Sequence, residues 1–224
     1  MIKFAPEGWP FIIGAAAVTV AVFAAARNWT AAIPFILTLF MFYFFRDPER
    51  LTPVDAGAVI SPADGRILLV SEVKEEEFLR MKVRKISIFM SPLNVHVNRA
   101  PCDGAVMSVK HTPGSFKKAF LDEASLNNDN IAMVMKTIKG DILLRQIAGS
   151  IARRAVCRVR PGDTLKQGQR YGIIKFSSRV DIYLPLAAKV IVKPGDRVLS
   201  GETIIARWDG VEAAAAEITG TEAA

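Results

Sequence analysis

Two ten-residue segments, VRPGDTLKQG at residues 159–168 and VKPGDRVLSG at residues 192–201, share one pattern. In each, a Pro-Gly-Asp turn is followed by a second glycine, Gly168 in the first copy and Gly201 in the second. Proline fixes φ and glycine accepts positive φ, so both segments predict tight turns. A second repeat relates SPADGRI at residues 61–67 to APCDGAV at residues 100–106. Turns repeated in this way are typical of an all-β body.

Short β-rich runs lie between these turns. They occupy residues 67–70, 85–90, 131–137, 173–176, 180–184, 189–192 and 203–208. Helix is sparse, with residues 75–81 and 116–124 as the candidate short segments. The sequence therefore predicts a mainly β protein of the α+β class, with a sandwich-like or barrel-like body.

The N-terminal part of the chain has a different character. Apolar runs at residues 11–26 and 31–45 lack a polar face, which predicts a helical membrane hairpin over residues 1–50, spanning or re-entrant. Two buried helices of a soluble protein are the alternative. Lys3, Arg46 and Arg50 flank the pair while only Arg27 lies between the runs, so we expect both ends, and the β-rich domain that follows, on the cytoplasmic face of the cell membrane.

The remainder divides into a β-rich domain at residues 51–210 and an Ala- and Glu-rich flexible tail at residues 211–224. A net charge of +7 suits anionic lipid headgroups, and the sequence carries no nucleic-acid motif, so no nucleic-acid partner is expected. A solvated basic surface is the alternative. Two cysteines and two histidines without metal-ligand spacing predict neither a disulfide framework nor a metal site.

The segment YGIIKFSSRVDIYLP at residues 171–185 reads as strand, break, strand, with Ser177 and Ser178 at the break. Adjacent serines in a turn usually have no function, but this stretch is one of seven motif segments in the chain. They are FFRDP (44–48), SPADG (61–65), FMSPLNVHVNR (89–99), PGSF (113–116), NNDN (127–130), QIAG (146–149) and FSSRVDIYLP (176–185). Seven such segments in this order resemble the phosphatidylserine decarboxylase proenzymes of the short, membrane-associated bacterial type.

The resemblance implies a self-processing, pyruvoyl-dependent enzyme. Such a proenzyme cuts itself before one serine, here Ser178, and that serine becomes a covalent pyruvoyl group, the only cofactor. Residues up to 177 form a β chain, residues from 178 form an α chain, and the two stay together as a heterodimer. The pyruvoyl carbonyl forms a Schiff base with the amine of phosphatidylserine, CO2 leaves, and phosphatidylethanolamine is released.

The family's processing residues map by motif onto Asp64 and His96, together with Ser178. In a relay of this kind the histidine takes the hydroxyl proton and the aspartate orients the histidine. A turn-forming role for Asp64 and a core position for His96 are the alternatives. His96 alternates with Asn94 and Asn98 across apolar valines, which favours a site.

The headgroup-binding candidates are His111, which we expect in a loop or at the mouth of the pocket, and Arg153 and Arg154, whose alternative is a solvated surface. The Pro-Gly-Asp repeats are also similar to those of lipoyl- and biotinyl-type hammerhead domains. The modified-lysine motif of those domains is missing here, so we interpret this second likeness as architecture.

Two positions depart from the family pattern. Ser177 stands where glycine usually precedes the modified serine, which implies slower or blocked maturation, and whether Ser177 is natural or engineered stays open. Arg99 stands where longer members have a second histidine, which leaves the division of labour at His96 open. Gly149-Ser150 is an alternative cleavage site.

Two other functions remain alternatives. One is the same chemistry on another serine-headed lipid, such as archaetidylserine. The other is a non-catalytic, membrane-anchored adaptor with hammerhead-like repeats. A homodimer is a further expectation, because strand edges and the hairpin both need cover.

Overall fold

The computed structural model of the protein describes residues 3–26, 28–114, 128–149, 154–176 and 178–208. Several expectations fall outside these ranges: the helix at residues 116–124, the tail at residues 211–224, and residues Arg153 and Ser177. The division into three parts therefore stays a prediction.

In the part of the chain that the structure describes, two helices precede most of the sixteen strands. The helices are α1 (Trp9–Ala26) and α2 (Ala32–Phe44), with single 3₁₀ turns at Pro6–Gly8 and Trp29–Ala31. The strands are β1 (Lys3–Phe4), β2 (Arg46–Asp47), β3 (Ala58–Ile60), β4 (Gly65–Glu75), β5 (Met81–Met90), β6 (Val97–Arg99), β7 (Gly104–Thr112), β8 (Asn130–Thr137), β9 (Gly140–Ala148), β10 (Ala155–Cys157), β11 (Thr164–Leu165), β12 (Arg170–Ile174), β13 (Ser178–Pro185), β14 (Ala188–Val190), β15 (Arg197–Val198) and β16 (Ile204–Trp208). The prediction of a mainly β body is confirmed.

Eight antiparallel strands form the main sheet, in the order β11-β7-β8-β9-β13-β5-β4-β15. This sheet curls into a half-barrel. Two three-stranded sheets, β10-β12-β6 and β14-β16-β3, accompany it. The main core contains buried side chains of all three sheets, among them Ile88 on β5, Tyr171 on β12 and Ala206 on β16.

The repeated turns occupy equivalent places at the two edges of the main sheet. The backbone amide of Ile67 donates to the carbonyl of Asp196 at 2.9 Å, and that of Val106 donates to the carbonyl of Asp163 at 2.8 Å. The turn glycines form the reciprocal bonds: the amide of Gly195 donates to the carbonyl of Ile67, and that of Gly162 to the carbonyl of Val106, both at 2.8 Å. The two sequence repeats thus form one repeated tertiary contact.

The body is therefore an internal duplication. One half consists of β3–β5 with β13–β16, and the other half is the continuous run β6–β12. Each half contributes four strands to the main sheet and closes one three-stranded sheet. The halves meet where β13 pairs with β9, and Ile182 opposite Leu144 lies within that pairing.

The hairpin packs against the body at the end opposite its connecting turn, where α1 begins and α2 ends. Strand β1 pairs with β2, and Glu7 forms a bidentate ion pair with Arg158, at 2.9 and 2.7 Å. Between the helices, the hydroxyls of Thr19 and Thr38 lie 3.0 Å apart. By length and composition the helical stretch Pro6–Ala26 could cross a membrane, whereas the second, Trp29–Phe44, is shorter.

Two local predictions differ from the structure. The helix expected at residues 75–81 is wrong: β4 continues to Glu75, whose carboxylate accepts from the amides of Phe78 and Leu79 at 2.8 and 2.7 Å and so holds a loop. Several strands of two or three residues and two long strands, β7 and β9, lie outside the predicted β-rich runs. The inner sequences of the two long strands, VMSVKHT and ILLRQIA, carry Lys110 or Arg145 among the apolar residues, which hides the strand pattern.

Candidate functional site

Ser178 is the first residue of β13, in the middle of the main sheet. It pairs with Met90 of β5 on one side and Ala148 of β9 on the other. Its side chain is fully buried, and its Oγ donates to the Sδ of Met90 at 3.4 Å. A thioether is a weak acceptor, so this hydroxyl remains free for a stronger partner.

The backbone before Ser178 adopts an uncommon conformation. Phe176 has φ of +53°, in the left-handed region that side chains other than glycine rarely occupy. Its ring stacks on Phe44 of α2, with centroids 4.4 Å apart. Aromatic packing thus holds a conformation that by itself costs roughly 1–3 kcal/mol, two residues before Ser178.

His96 lies immediately before β6 and is completely buried. Its Nδ1 is 2.9 Å from the carbonyl oxygen of Asn94, which can only accept, so Nδ1 carries the proton. Its Nε2 is buried without a hydrogen-bond partner among the described residues. Burial lowers the pKa of His96 to about 4, so the ring is a neutral base near pH 7.

Asp64 occupies the turn before β4. Its carboxylate accepts from Nη2 of Arg50, at 2.8 and 3.1 Å, and from the amide of Ser200, at 2.7 Å. Burial raises the pKa of Asp64 above its usual value, and the nearby Arg50 opposes that rise. The backbone of Val95, the neighbour of His96, also favours the ionised carboxylate and lowers the pKa of Asp64.

The three predicted residues converge on one region through intermediates. Asn98 follows His96 on the same face, and its Nδ2 lies 3.9 Å from the Sδ of Met90, the atom that contacts Ser178. Asp64 reaches His96 through the backbone of Val95. The relay differs from the expected form, because the carbonyl of Asn94 orients the imidazole and Asp64 anchors the adjacent backbone.

Four further side chains belong to this region, and no role at the site was predicted for them from the sequence. They are Phe44, Arg50, Asn98 and Gln146. The Nε2 of Gln146 donates to the Oδ1 of Asn98 at 2.8 Å, while its own buried Oε1 has no partner among the described residues. Polar residues at inward-facing strand positions are the sequence signal for Asn98 and Gln146. Phe44 and Arg50 become visible only once the hairpin is placed on the body.

Of the headgroup-binding candidates, His111 lies apart from Ser178, whereas the carbonyl of Arg154 accepts from the amide of Lys175, three residues before Ser178, at 3.2 Å. His111 is at the end of strand β7 rather than in a loop, three strands away across the main sheet, because its segment pairs with β8. Its Nε2 is 2.7 Å from Oδ1 of Asp129, and the side chain is half-exposed. Arg154 is exposed just before β10. Arg153 and Ser150 of the alternative cleavage site lie outside the described residues.

Comparison with known proteins gives the family. The family model described as phosphatidylserine decarboxylase matches residues 37–206 of this chain. The chain belongs to the phosphatidylserine decarboxylase family. It is 48% identical over 206 residues to a phosphatidylserine decarboxylase proenzyme of Nitrosomonas europaea, covering 91% of this chain and 94% of the relative.

Other relatives in the phosphatidylserine decarboxylase family agree. A proenzyme of Ralstonia nicotianae is 48% identical, with 92% of this chain and 95% of the relative covered. One of Syntrophus aciditrophicus is 44% identical, with 89% and 94% covered. Membership makes this chain a decarboxylase synthesised as a zymogen. The alternative of a non-catalytic adaptor is thereby overturned.

Proposed function

We propose that this chain cleaves itself before Ser178 and, with a pyruvoyl group made from that serine, converts phosphatidylserine to phosphatidylethanolamine and CO2. The hairpin holds the enzyme at the cytoplasmic face of the membrane, where its lipid substrate lies. The relatives are named for phosphatidylserine as their substrate, and the geometry around Ser178 supports the site of cleavage.

One observation carries the assignment to Ser178. Ser178 is the first residue of the central strand, and its hydroxyl is buried. Two residues earlier, the backbone of Phe176 has a left-handed conformation. A strained backbone next to a nucleophile favours rearrangement, because cleavage relieves the strain. The neutral imidazole of His96, held through Nδ1 and open at Nε2, supplies a base in the same region.

Maturation then proceeds in three steps: an acyl shift, an elimination and a hydrolysis. The Oγ of Ser178 attacks the carbonyl carbon of residue 177 while Nε2 of His96 takes the hydroxyl proton. The peptide C–N bond then breaks, the amine nitrogen of Ser178 receives that proton from His96, and residue 177 is left as an ester on Oγ. Removal of the α-proton of Ser178 then breaks the Cβ–O bond. The acid of residue 177 departs, and hydrolysis of the resulting dehydroalanine yields the pyruvoyl group and ammonia.

The surroundings of Ser178 fit a pyruvoyl group. The position is closed to water, beside the Met90 thioether, and the unpartnered Nε2 of His96 is an orphaned buried polar atom in the same region. A pyruvoyl carbonyl supplies the electron sink that a decarboxylation of an amino acid headgroup needs. The amide groups of Asn98 and Gln146 offer hydrogen bonds there. His96 holds or returns a proton at Nε2. Because water is excluded, the leaving carboxylate is weakly solvated.

Intact-mass spectrometry of the purified chain tests self-cleavage. A cut before Ser178 leaves one fragment that ends at position 177 and a shorter one, positions 178–224, that is blocked by pyruvoyl. The Ser178→Ala variant stays intact. If the natural chain is also intact, Ser177→Gly restores cleavage. No cleavage in either chain contradicts the proposal, and cleavage of Ser178→Ala places the site elsewhere.

The internal duplication provides a matched control for Asp64. Asp103 holds the equivalent position in the other half: it accepts from the amide of Gln167 at 2.7 Å, as Asp64 does from Ser200. Asp103 is exposed and pairs with Lys166 at 3.0 Å, away from Ser178. We expect Asp64→Asn to slow self-cleavage roughly 100-fold or more, and Asp103→Asn to leave the rate unchanged. Equal effects in both variants would remove Asp64 from the mechanism.

Decarboxylation of phosphatidylserine in mixed micelles tests the substrate. The expected result is release of CO2 that tracks the amount of cleaved chain and is abolished by phenylhydrazine, which blocks carbonyl groups. Archaetidylserine, with the same headgroup on ether-linked chains, is the comparison substrate. Turnover of archaetidylserine alone would contradict phosphatidylserine as the substrate, whereas the proposed decarboxylation by a pyruvoyl group would still hold.

A further inference from the structure

The foot of the hairpin, residues 44–50, packs directly against the site around Ser178. Resting on the proposed function, we propose that Arg50 is a positioning residue for self-cleavage: it fixes the Asp64 carboxylate in place and keeps it ionised. The membrane hairpin and the processing site would then form one structural unit.

Arg50 contacts Asp64 closely. One guanidinium nitrogen, Nη2, lies 2.8 and 3.1 Å from the two carboxylate oxygens. The side chains of Arg50 and Asp64 are 10% and 5% exposed, so solvent screens their attraction weakly. Nη1 of Arg50 lies 3.6 Å from Glu202. An unpaired carboxylate at this depth is costly, and the arginine offsets that cost.

The body holds Arg50 through the residues just before it. Asp47 pairs with Arg170 at 2.7 Å and with Arg99 at 3.3 Å. Arg99 also donates to the carbonyl of Pro48 at 2.9 Å. These buried and half-buried contacts fix the path of the chain from the end of the hairpin to Arg50. Displacement of the hairpin would therefore displace the guanidinium that Asp64 depends on.

The same foot of the hairpin shields His96. The ring of Phe44 lies 4.3 Å from the imidazole and 4.4 Å from Phe176, between the proposed base and the left-handed residue. Arg46, two residues later, bonds the carbonyl of Leu93 at 2.8 Å, close to the turn that leads into His96. Arg50 thus acts within a segment that contacts the site at several points.

Burial and Arg50 act in opposite directions on Asp64. Burial raises the pKa of this carboxyl, and Arg50 lowers it together with the amides of Ser200 and Val95. Among the described residues, the charged groups packed around the carboxylate are Arg50 itself and, behind it, Glu202 and Arg99. Loss of Arg50 leaves burial opposed only by neutral hydrogen bonds, so Asp64 takes up a proton at higher pH.

The test is the rate of self-cleavage of the full-length protein as a function of pH, in wild type, Arg50→Met and Arg50→Lys. We expect the acid limb of the Arg50→Met profile to move to higher pH by about one unit or more, since an adjacent opposite charge shifts a carboxyl pKa by about 1–3 units. Arg50→Lys restores part of the shift. If wild type does not cleave, the series is made in the Ser177→Gly chain.

Arg158→Met is the matched control. Arg158 also ties the N-terminal segment to the body, through its bidentate pair with Glu7, and it does not contact Asp64. Its profile keeps the wild-type midpoint. A uniform fall of the Arg50→Met rate at every pH, or a shift of equal size in Arg158→Met, would overturn the inference in favour of a merely structural role.

A second measurement separates this inference from the proposed function. Carbon-13 NMR of labelled aspartate carboxyls, with the Asp64 signal assigned from Asp64→Asn, follows the titration of Asp64 directly in the Ser178→Ala precursor. A titration that moves to higher pH in Arg50→Met supports the contact even if no variant cleaves. An unmoved titration overturns the inference even if cleavage occurs as proposed.

Discussion

His96 shows how much a single residue's role depends on its backbone. The motif predicts a histidine at the site, but only the fold reveals that the Asn94 carbonyl fixes the tautomer and leaves Nε2 as a buried acceptor. Which atom orients a side chain depends on the local turn, and residues 91–96 hold that turn through bonds such as the one from the Asn94 amide to the Ser91 carbonyl, at 2.9 Å. Sequence reasoning assigned that role to Asp64.

The depressed pKa of His96 predicts acid sensitivity of the fold. The unfolded chain takes up a proton near pH 6.5, whereas the folded chain resists it until about pH 4. The stability that neutral His96 contributes is therefore fully present above pH 6.5 and is lost as the pH falls towards 4. The free energy of unfolding drops by about 3 kcal/mol between these two pH values. Urea unfolding of the Ser178→Ala chain in detergent, from pH 7 to pH 4, measures the loss. His96→Gln shows a smaller loss, and an equal loss in both chains contradicts the assignment.

At the scale of elements, β13 is the strand on which the site depends. Both of its neighbours pair with it over most of its length, and all of its residues are buried. The outer face carries Arg179, whose guanidinium donates to Asp181 at 2.6 Å and to the hydroxyl of Ser87 at 2.8 Å. The sequence predicted this strand as a β-rich run after a break in the chain. The charged face beside Ser178 was unexpected, since a buried ion pair is rare in a central strand.

Removing Arg179 should destabilise this strand strongly. Arg179→Met removes the guanidinium from the fully buried Asp181, which keeps Lys85 at 3.3 Å. Breaking a buried pair completely costs about 3–5 kcal/mol, and the remaining ammonium group places the expected loss towards the lower end of that range. Arg207→Met is the control, because Arg207 pairs with Asp55 near the surface, where such a pair contributes about 0–1 kcal/mol. Urea unfolding in detergent measures both variants. Similar small losses would show that the Arg179 pair adds little.

The hairpin helices present apolar side chains outward. Val20 on α1 is 68% exposed, and Phe23 and Ile33 are exposed to a similar degree. Exposed apolar surface on two adjacent helices marks a membrane or a partner surface. The hydropathy of the sequence predicted the helices well, since a run without a polar face needs cover all round. How the foot of the hairpin meets the body could not be read, because those contacts join residues far apart in the chain.

Cysteine labelling tests the hairpin in cells. In a chain with Cys102 and Cys157 replaced by serine or alanine, Val20→Cys is protected from a water-soluble maleimide by lipid. Leu51→Cys, at a position 90% exposed on the body, is labelled. If the body is cytoplasmic, the maleimide labels Leu51→Cys in inside-out vesicles and does not label it in right-side-out vesicles. Labelling of Val20→Cys at the rate of Leu51→Cys would contradict membrane insertion.

At the scale of the whole molecule, the duplication explains what the sequence could and could not show. The repeats at residues 159–168 and 192–201 were visible because a turn needs particular residues at fixed positions. Their partners, Ile67 and Val106, could not be assigned, because each contact joins segments far apart in the chain and depends on strand order. Ser178 and Asp64 belong to one half, Asn98 and Gln146 come from the other, and Asp103 shows what the turn equivalent to that of Asp64 looks like away from the site.

The two turn glycines should respond equally to substitution. Gly162 and Gly195 both have φ of +97°, and a methyl group at either would meet no atom within 4 Å. Their alanine variants therefore report backbone strain alone, roughly 1–2 kcal/mol each. Urea unfolding of Gly162→Ala, Gly195→Ala and the double variant measures this. A clear inequality between the single variants would show that the halves are not mechanically equivalent.

The nesting of one half inside the other bears on the life of the mature enzyme. A cut before Ser178 leaves a short fragment whose β13 lies between β5 and β9, whose β15 borders β4 and whose β16 borders β3. These neighbours all belong to the longer fragment, so the two pieces remain interwoven after the covalent link is gone. Neither can be exchanged with a fragment from another molecule without unravelling the sheet. Each copy of the enzyme would keep, until it is degraded, the partner with which it was translated.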